Sequence, residues 1–209
     1  MTISLPRIYP ITDTVISGLS HTEQVKRLIE GGATFIQLRD KHGAPKDFLH
    51  DAEAAIAVAR QNNVRIVIND RVDIAMALGA DGVHLGQSDM PVDAARRLLG
   101  PEAIVGFSTH NLLQVEKAAR LPVDYVAFGP LFGTRTKRDH EPVVGLDHLR
   151  EVRTLLSSTS LVTIGGITAA NFASALAAGA DSVAVISDLL EEPDKITEKL
   201  KRMLTISLD

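Results

Sequence analysis

The chain has 209 residues, 45% of them hydrophobic, with 22 basic against 26 acidic side chains and a formal charge of −4; one substantial core fits this length, and no basic stripe offers itself to nucleic acid. The absence of cysteine excludes disulfides and thiolate metal sites. The opening MTISLPRIYP lacks a charged-then-apolar leader and no run of about 18 apolar residues occurs, so the expectation is a soluble cytoplasmic protein with no membrane partner.

From the N-terminus onward, short β-branched runs alternate with longer Ala- and Leu-rich stretches eight times. Strands are expected at 7–12, 34–40, 64–70, 82–86, 103–109, 125–130, 161–167 and 182–187. Helices are expected near 21–30, 45–62, 71–79, 91–99, 111–120, 145–157, 169–178 and 188–203. In the second helix Phe48, Leu49, Ala52, Ala55, Ile56 and Ala59 carry the spacing of an amphipathic face. The phrases EGGATF, LGADGV and AAGADSV recur as punctuation, a glycine ending each helix just before the next strand. Apolar strands alternating with helices imply parallel strands and crossover helices. Eight units predict a single (β/α)8 (TIM) barrel over 1–209, with tight loops because that barrel typically takes about 250 residues. The alternative, an open doubly wound sheet, would advertise a glycine-rich first turn, which PITDTVISG is not.

Polar residues collect at the ends of these strands. In FIQLRDK, Gln37, Arg39 and Lys41 share one face, opposite Ile36 and Leu38, and are expected to turn toward the barrel axis. An arginine placed there needs an anion, either a ligand or a structural partner in Asp70 or Asp89. VRIVIND ends in Asn69 and Asp70, and the following strand runs through Gln87 and Ser88 to Asp89. Two carboxylates on neighbouring strand ends suit Mg²⁺, which takes one or two of them and fills its octahedron with water and phosphate oxygens. Each aspartate alone also reads as a helix N-cap.

Strand six runs into GTRTKRD, where Thr134 and Thr136 offer hydroxyls and Lys137 a mobile charge, while Arg135 and Arg138 fit a solvated run. TIGGIT places Gly165 and Gly166 after strand seven, and VAVIS brings Ile186 and Ser187 to the start of the last helix. Loops after strands seven and eight form the recurring phosphate site of this barrel, although Gly-Gly also serves as a plain tight turn. His84 and His110 read as hydrogen-bonded packing residues, and His21, His42, His50, His140 and His148 as surface.

The stretches QLRDK (37–41), NDR (69–71), GADGVHLGQSD (79–89), GFSTH (106–110), GPLFGTRTK (129–137), IGGIT (164–168) and VAVIS (183–187) together resemble the thiamine phosphate synthase (thiamine-phosphate pyrophosphorylase) family along nearly the whole chain. The resemblance implies coupling of 4-amino-2-methyl-5-hydroxymethylpyrimidine diphosphate with thiazole phosphate, yielding thiamine phosphate and pyrophosphate. It implies pyrimidine-diphosphate contacts at Gln37, Arg39, Lys41, Asn69, Ser108 and Lys137, with Arg39, Lys41, Ser108 and Lys137 as the catalytic set. It implies Mg²⁺ on Asp70 and Asp89, and thiazole-phosphate contacts at Thr134, Thr136, Gly166, Ile186 and Ser187. Small molecules are thus the expected partners; a homo-oligomer is compatible with the reading, and the sequence leaves the oligomeric state open.

Three positions depart from the family pattern. Gly133 stands where proline is common, Arg135 adds a charge, and Asp188 replaces a small apolar residue beside the phosphate loop, where its helix position predicts a solvent-facing carboxylate. Two alternatives differ in what they would keep. A thiazole tautomerase relative would lose parts of the pyrimidine and metal set, and a non-catalytic thiazole- or thiamine-phosphate-binding regulator would need no metal.

Overall fold

Along every strand the side chains alternate between the space enclosed by the sheet and the layer beneath the helices. The computed structural model describes residues 3–134, 136 and 141–207. Its strands are β1 (Ile8–Pro10), β2 (Phe35–Leu38), β3 (Arg65–Asn69), β4 (Gly82–Leu85), β5 (Ile104–Thr109), β6 (Tyr125–Phe128), β7 (Ser160–Thr163) and β8 (Ser182–Val185). All pair in parallel in the order β1-β8-β7-β6-β5-β4-β3-β2. A parallel bridge from Ile11 to Gln37 closes the ring. This is the expected (β/α)8 barrel. The strands are shorter than the sequence suggested, because their polar C-terminal ends leave the ladder and enter the loops.

The helices are α1 (Thr14–Ser17), α2 (His21–Glu30), α3 (Pro45–Gln61), α4 (Val72–Leu78), α5 (Val92–Leu99), α6 (Leu112–Ala118), α7 (Gly145–Leu155), α8 (Phe172–Ala177), α9 (Ser187–Leu190) and α10 (Ile196–Thr205). Local chemistry sets several of their starts. Ser20 caps α2 by accepting the Glu23 N–H at 3.1 Å. Pro45 opens α3, where its missing N–H costs nothing, and Phe48, Ala52, Ala55, Ile56 and Ala59 form its buried face. Two elements differ from expectation. α1 is an extra turn capped by Asp13, which accepts from Val15 and Ile16. The expected last helix at 188–203 is interrupted by a 3₁₀ turn at Pro193–Lys195, where proline cannot continue the ladder of N–H donors.

Between strands and helices lies a continuous apolar layer that includes Ile36, Leu38, Ile66, Ile68, Val83 and Leu85. Inside the barrel is a smaller cluster built on Tyr9, Phe35, Val67, Ile104, Tyr125 and Val162. His21, read from sequence as surface, is buried at 1% exposure. The first turn of α2 tilts it against the Phe48 ring, 5.2 Å between centroids, and its Nδ1 lies 2.7 Å from the Thr12 hydroxyl. Inside the ring, space is tight at Gly106. A Cβ there would lie 2.1 Å from the Tyr125 ring and 2.5 Å from His84 Nδ1. Gly106→Ala is therefore expected to cost about 2–3 kcal/mol by overpacking, read as a lowered urea midpoint.

Candidate active site

The C-terminal strand ends open into one cavity of about 1090 Å³, to which all eight strands contribute. Every expected site residue among the described ones lines it; Lys137 lies outside the described residues. On β2, the two-residue period turns Gln37 inward, and its Nε2 donates to the Tyr9 hydroxyl at 2.8 Å. Arg39 follows on the same face, but its partner is neither Asp70 nor Asp89. Its guanidinium donates to Asp13, which is buried at 6% exposure. Closure of β1 on β2 brings that carboxylate across, so the positive charge is neutralised inside the protein.

Lys41 pairs instead with Asp70. Asp70 adopts a left-handed backbone (φ 61°), and its N–H donates to the His84 carbonyl at 2.8 Å. Neither Asp70 nor Asp89 serves as a side-chain N-cap: α4 and α5 begin after Arg71 and Pro91 with no such bond. Asp89 folds back and accepts the Gly86 N–H at 2.6 Å. Burial pushes its carboxyl above the ordinary range, the Gly86 N–H pulls it back down, and Asp70, close enough to share a proton with it, lifts it again. Beside them the Asn69 amide nitrogen is buried with no hydrogen-bond partner among the described residues.

On the opposite side, Gly165 and Gly166 take φ values of 99° and 64°. A Cβ on Gly166 would come within 2.4 Å of the Gly133 carbonyl, and Phe132 N–H donates to the Gly165 carbonyl at 3.0 Å. Gly-Gly is thus a tight turn, required by the backbone packed on it. It also leaves the Gly166 N–H without an acceptor among the described residues, while Asn171 holds the Gly166 carbonyl at 2.8 Å. Ile186 and Ser187 face this turn from the other side of the cavity at the start of α9, a single turn whose first N–H groups have no helical acceptor. Thr134 and Thr136 line the wall between the two regions. Among the described residues no group of three or more His, Asp or Glu side chains could hold a metal; the acidic pair stands alone.

A model of the family described as thiamine monophosphate synthase matches residues 8–189. The chain belongs to this family. Among its relatives, the thiamine-phosphate synthase of Koribacter versatilis is 44% identical over 207 residues, covering 97% of both chains. That of Methanoculleus marisnigri is 45% identical over 188 residues, covering 90% of this chain and 89% of the relative. The solved thiamine phosphate pyrophosphorylase of Pyrococcus furiosus superposes with a TM-score of 0.84 at 31% identity, covering 94% and 93% of the two chains.

Two of the departures from the family pattern can now be placed. The Asp188 carboxylate does not line the cavity: half-buried, it accepts the Ala169 N–H at 2.9 Å and ties the α9 turn to the loop after β7. Gly133 is exposed with open space around it, and nothing in the structure explains its choice over proline. Arg135 lies outside the described residues.

Sequence reasoning missed four residues that line this cavity or hold its lining residues in place: Tyr9, Asp13, Tyr125 and Asn171. The two tyrosines occupy inward positions of apolar strands, where a phenol reads as core, so none of the four carried a usable signal. His84 is buried as expected of a packing residue, yet it also lines the cavity, with Nδ1 2.9 Å from the Tyr125 hydroxyl and Nε2 2.8 Å from the Ser108 hydroxyl. Its burial lowers the imidazole from 6.5 to about 4, an effect that Asp89 opposes and Lys41 adds to. The unfolded chain therefore takes up a proton near 6.5 that the folded protein refuses until about 4, so stability falls as pH drops through that window. The loss should reach about 3 kcal/mol at the acid end, read as the difference between wild type and His84→Gln in urea titrations at each pH.

Proposed function

We propose that this chain is a thiamine phosphate synthase. It would couple 4-amino-2-methyl-5-hydroxymethylpyrimidine diphosphate to thiazole phosphate, with thiamine phosphate and pyrophosphate as products. The observation that carries the reading is one cavity holding both an acidic–basic cluster (Lys41, Asp70, Asp89) and a glycine turn whose Gly166 N–H has no acceptor among the described residues. Family membership over most of the chain supports it. A tautomerase relative would not need the cluster of Lys41, Asp70 and Asp89 that lines this cavity.

Asp70 and Asp89 suit a divalent cation, because they form an adjacent acidic pair in which one carboxyl is pushed toward its protonated form. Mg²⁺ bound there would stabilise the negative charge of departing pyrophosphate. The chain's own groups do the rest. Arg39 and Lys41 orient the diphosphate and share its developing charge, and Lys137, outside the described residues, is assigned to the same task by the family resemblance alone. Gln37, Asn69 and Ser108 hold the pyrimidine end; the buried Asn69 amide, which has no partner among the described residues, supplies a donor for it. Gly166, Ile186 and Ser187, with the Thr134 and Thr136 hydroxyls, cradle the thiazole phosphate.

The bond between the pyrimidine methylene carbon and the diphosphate oxygen breaks, and the electron pair leaves with pyrophosphate. The electron-rich aminopyrimidine stabilises the cation, and the thiazole nitrogen closes the new C–N bond with its lone pair. That nitrogen carries no proton, so no general base is required, and holding the two partners in line is the main task of the cavity.

Purified protein incubated with both substrates and Mg²⁺ should release thiamine phosphate and pyrophosphate in equal amounts. EDTA should abolish turnover, and Asp89→Ala and Lys137→Ala should each lower it about a hundredfold. No product, with thiazole phosphate still bound, would overturn the synthase reading in favour of a tautomerase or a regulatory binding protein.

A further inference from the structure

Under the cavity a single line of hydrogen bonds crosses the barrel from β2 to β5. Gln37 Nε2 donates to the Tyr9 hydroxyl (2.8 Å), which shares a bond with the Tyr125 hydroxyl (2.9 Å). The Tyr125 hydroxyl meets His84 Nδ1 (2.9 Å), and His84 Nε2 meets the Ser108 hydroxyl (2.8 Å). The two phenols are the only tyrosines in the chain. Burial keeps both phenols un-ionised and the imidazole neutral at ordinary pH.

Each hydroxyl has one proton to give, and a neutral imidazole has one donor nitrogen and one acceptor. A hydroxyl can also accept two bonds, so these counts tie the links together once every buried proton is required to find an acceptor. With Gln37 donating, Tyr9 passes its proton into the bond with Tyr125, and Tyr125 donates to Nδ1. The ring proton then sits on Nε2 and points at Ser108. Ser108 accepts there, so its own proton is left for the cavity that it lines. Running the line the other way would reverse both ends: Ser108 would donate to His84, and Gln37 would turn its N–H groups outward.

We propose that this line acts as a polarity relay, in which Tyr9, Tyr125 and His84 are positioning residues that fix Ser108 as a donor and the Gln37 carbonyl as an acceptor toward the substrate. That pattern is complementary to an aminopyrimidine, which carries both N–H donors and ring-nitrogen acceptors around its rim. The inference rests on the synthase reading for its substrate, but the state of the line can be read without turnover.

The first test is a long-range proton–nitrogen spectrum of the protein with isotope-labelled histidine, His84 being assigned from its loss in His84→Gln. The relay requires the Nε2–H tautomer in wild type; an Nδ1–H tautomer would overturn it. The second test is a cycle of Tyr125→Phe and Ser108→Ala, with circular dichroism confirming the fold. Tyr125→Phe frees the tautomer and should lower kcat/KM about tenfold in wild type. In the Ser108→Ala background it should change kcat/KM by less than about twofold, because the hydroxyl it orients is gone. Equal losses in both backgrounds would mark Tyr125 as structural only and sink the relay. If Tyr125→Phe does not fold, Tyr9→Phe one link away is used in its place, with the same expected non-additivity. Absence of product from wild type would overturn the synthase reading while leaving the tautomer result to judge the relay.

Discussion

Any polar group under the mouth of this barrel must find its partner inside the ring, since the apolar floor cannot solvate it. Most of the local architecture follows from that constraint. Arg39 can turn inward because β1 closes on β2 and delivers Asp13. Asp13 in turn is fixed by α1, whose first N–H groups it caps, and by Gln24, which accepts its N–H at 3.0 Å. Gln37, Tyr9, Tyr125, His84 and Ser108 satisfy one another in sequence, so no buried charge is needed to hold the floor together. Gly106 is glycine because that line passes where its side chain would be.

The acidic pair obeys the same constraint less comfortably. Asp70 is matched by Lys41, and Asp89 by a backbone N–H and the more distant charge of Lys41, which leaves two carboxylates in contact beneath an open cavity. A protein does not gain stability from such an arrangement, for like charges at short range oppose each other in any dielectric. Together with the unpartnered Asn69 amide, the pair forms the least self-sufficient part of the interior. Unsatisfied groups gathered at one end of a barrel are what a binding site looks like before its ligands arrive.

The rim was legible in the sequence because two signals coincide there: the two-residue period of a strand and a polar residue where that period should end in a loop. Gln37, Asn69, Asp70 and Gly166 each stand at such a point. The floor was not legible for the opposite reason. Tyr9 and Tyr125 lie in apolar strands, where a phenol reads as core, and only closure of the ring shows that their hydroxyls meet. Asp13 depends on the same closure. His21 was misread because α1, at four residues, is too short to show a period, so the docking of α2 behind it could not be foreseen. The broken last helix was foreseeable from Pro193, whereas the binding of Asp188 to Ala169 was not, since it joins two loops from different strands.

Charge balance at the mouth bears on how a diphosphate could be held. Among the described residues, Arg39 and Lys41 are the arginine and lysine side chains that line the cavity, and each is already matched by a carboxylate. Neither brings unmatched positive charge to an incoming polyanion, and Asp89 stands beside them in addition. Ion pairing by this rim alone would have to break an internal pair for every new one it made, with little net gain. A divalent cation held by Asp70 and Asp89 would change the balance: the acidic pair would be neutralised, Lys41 would be free to turn to the diphosphate, and the site would gain positive charge. On the proposed reading, the metal is therefore a condition for binding the diphosphate at all, before it has any part in its departure.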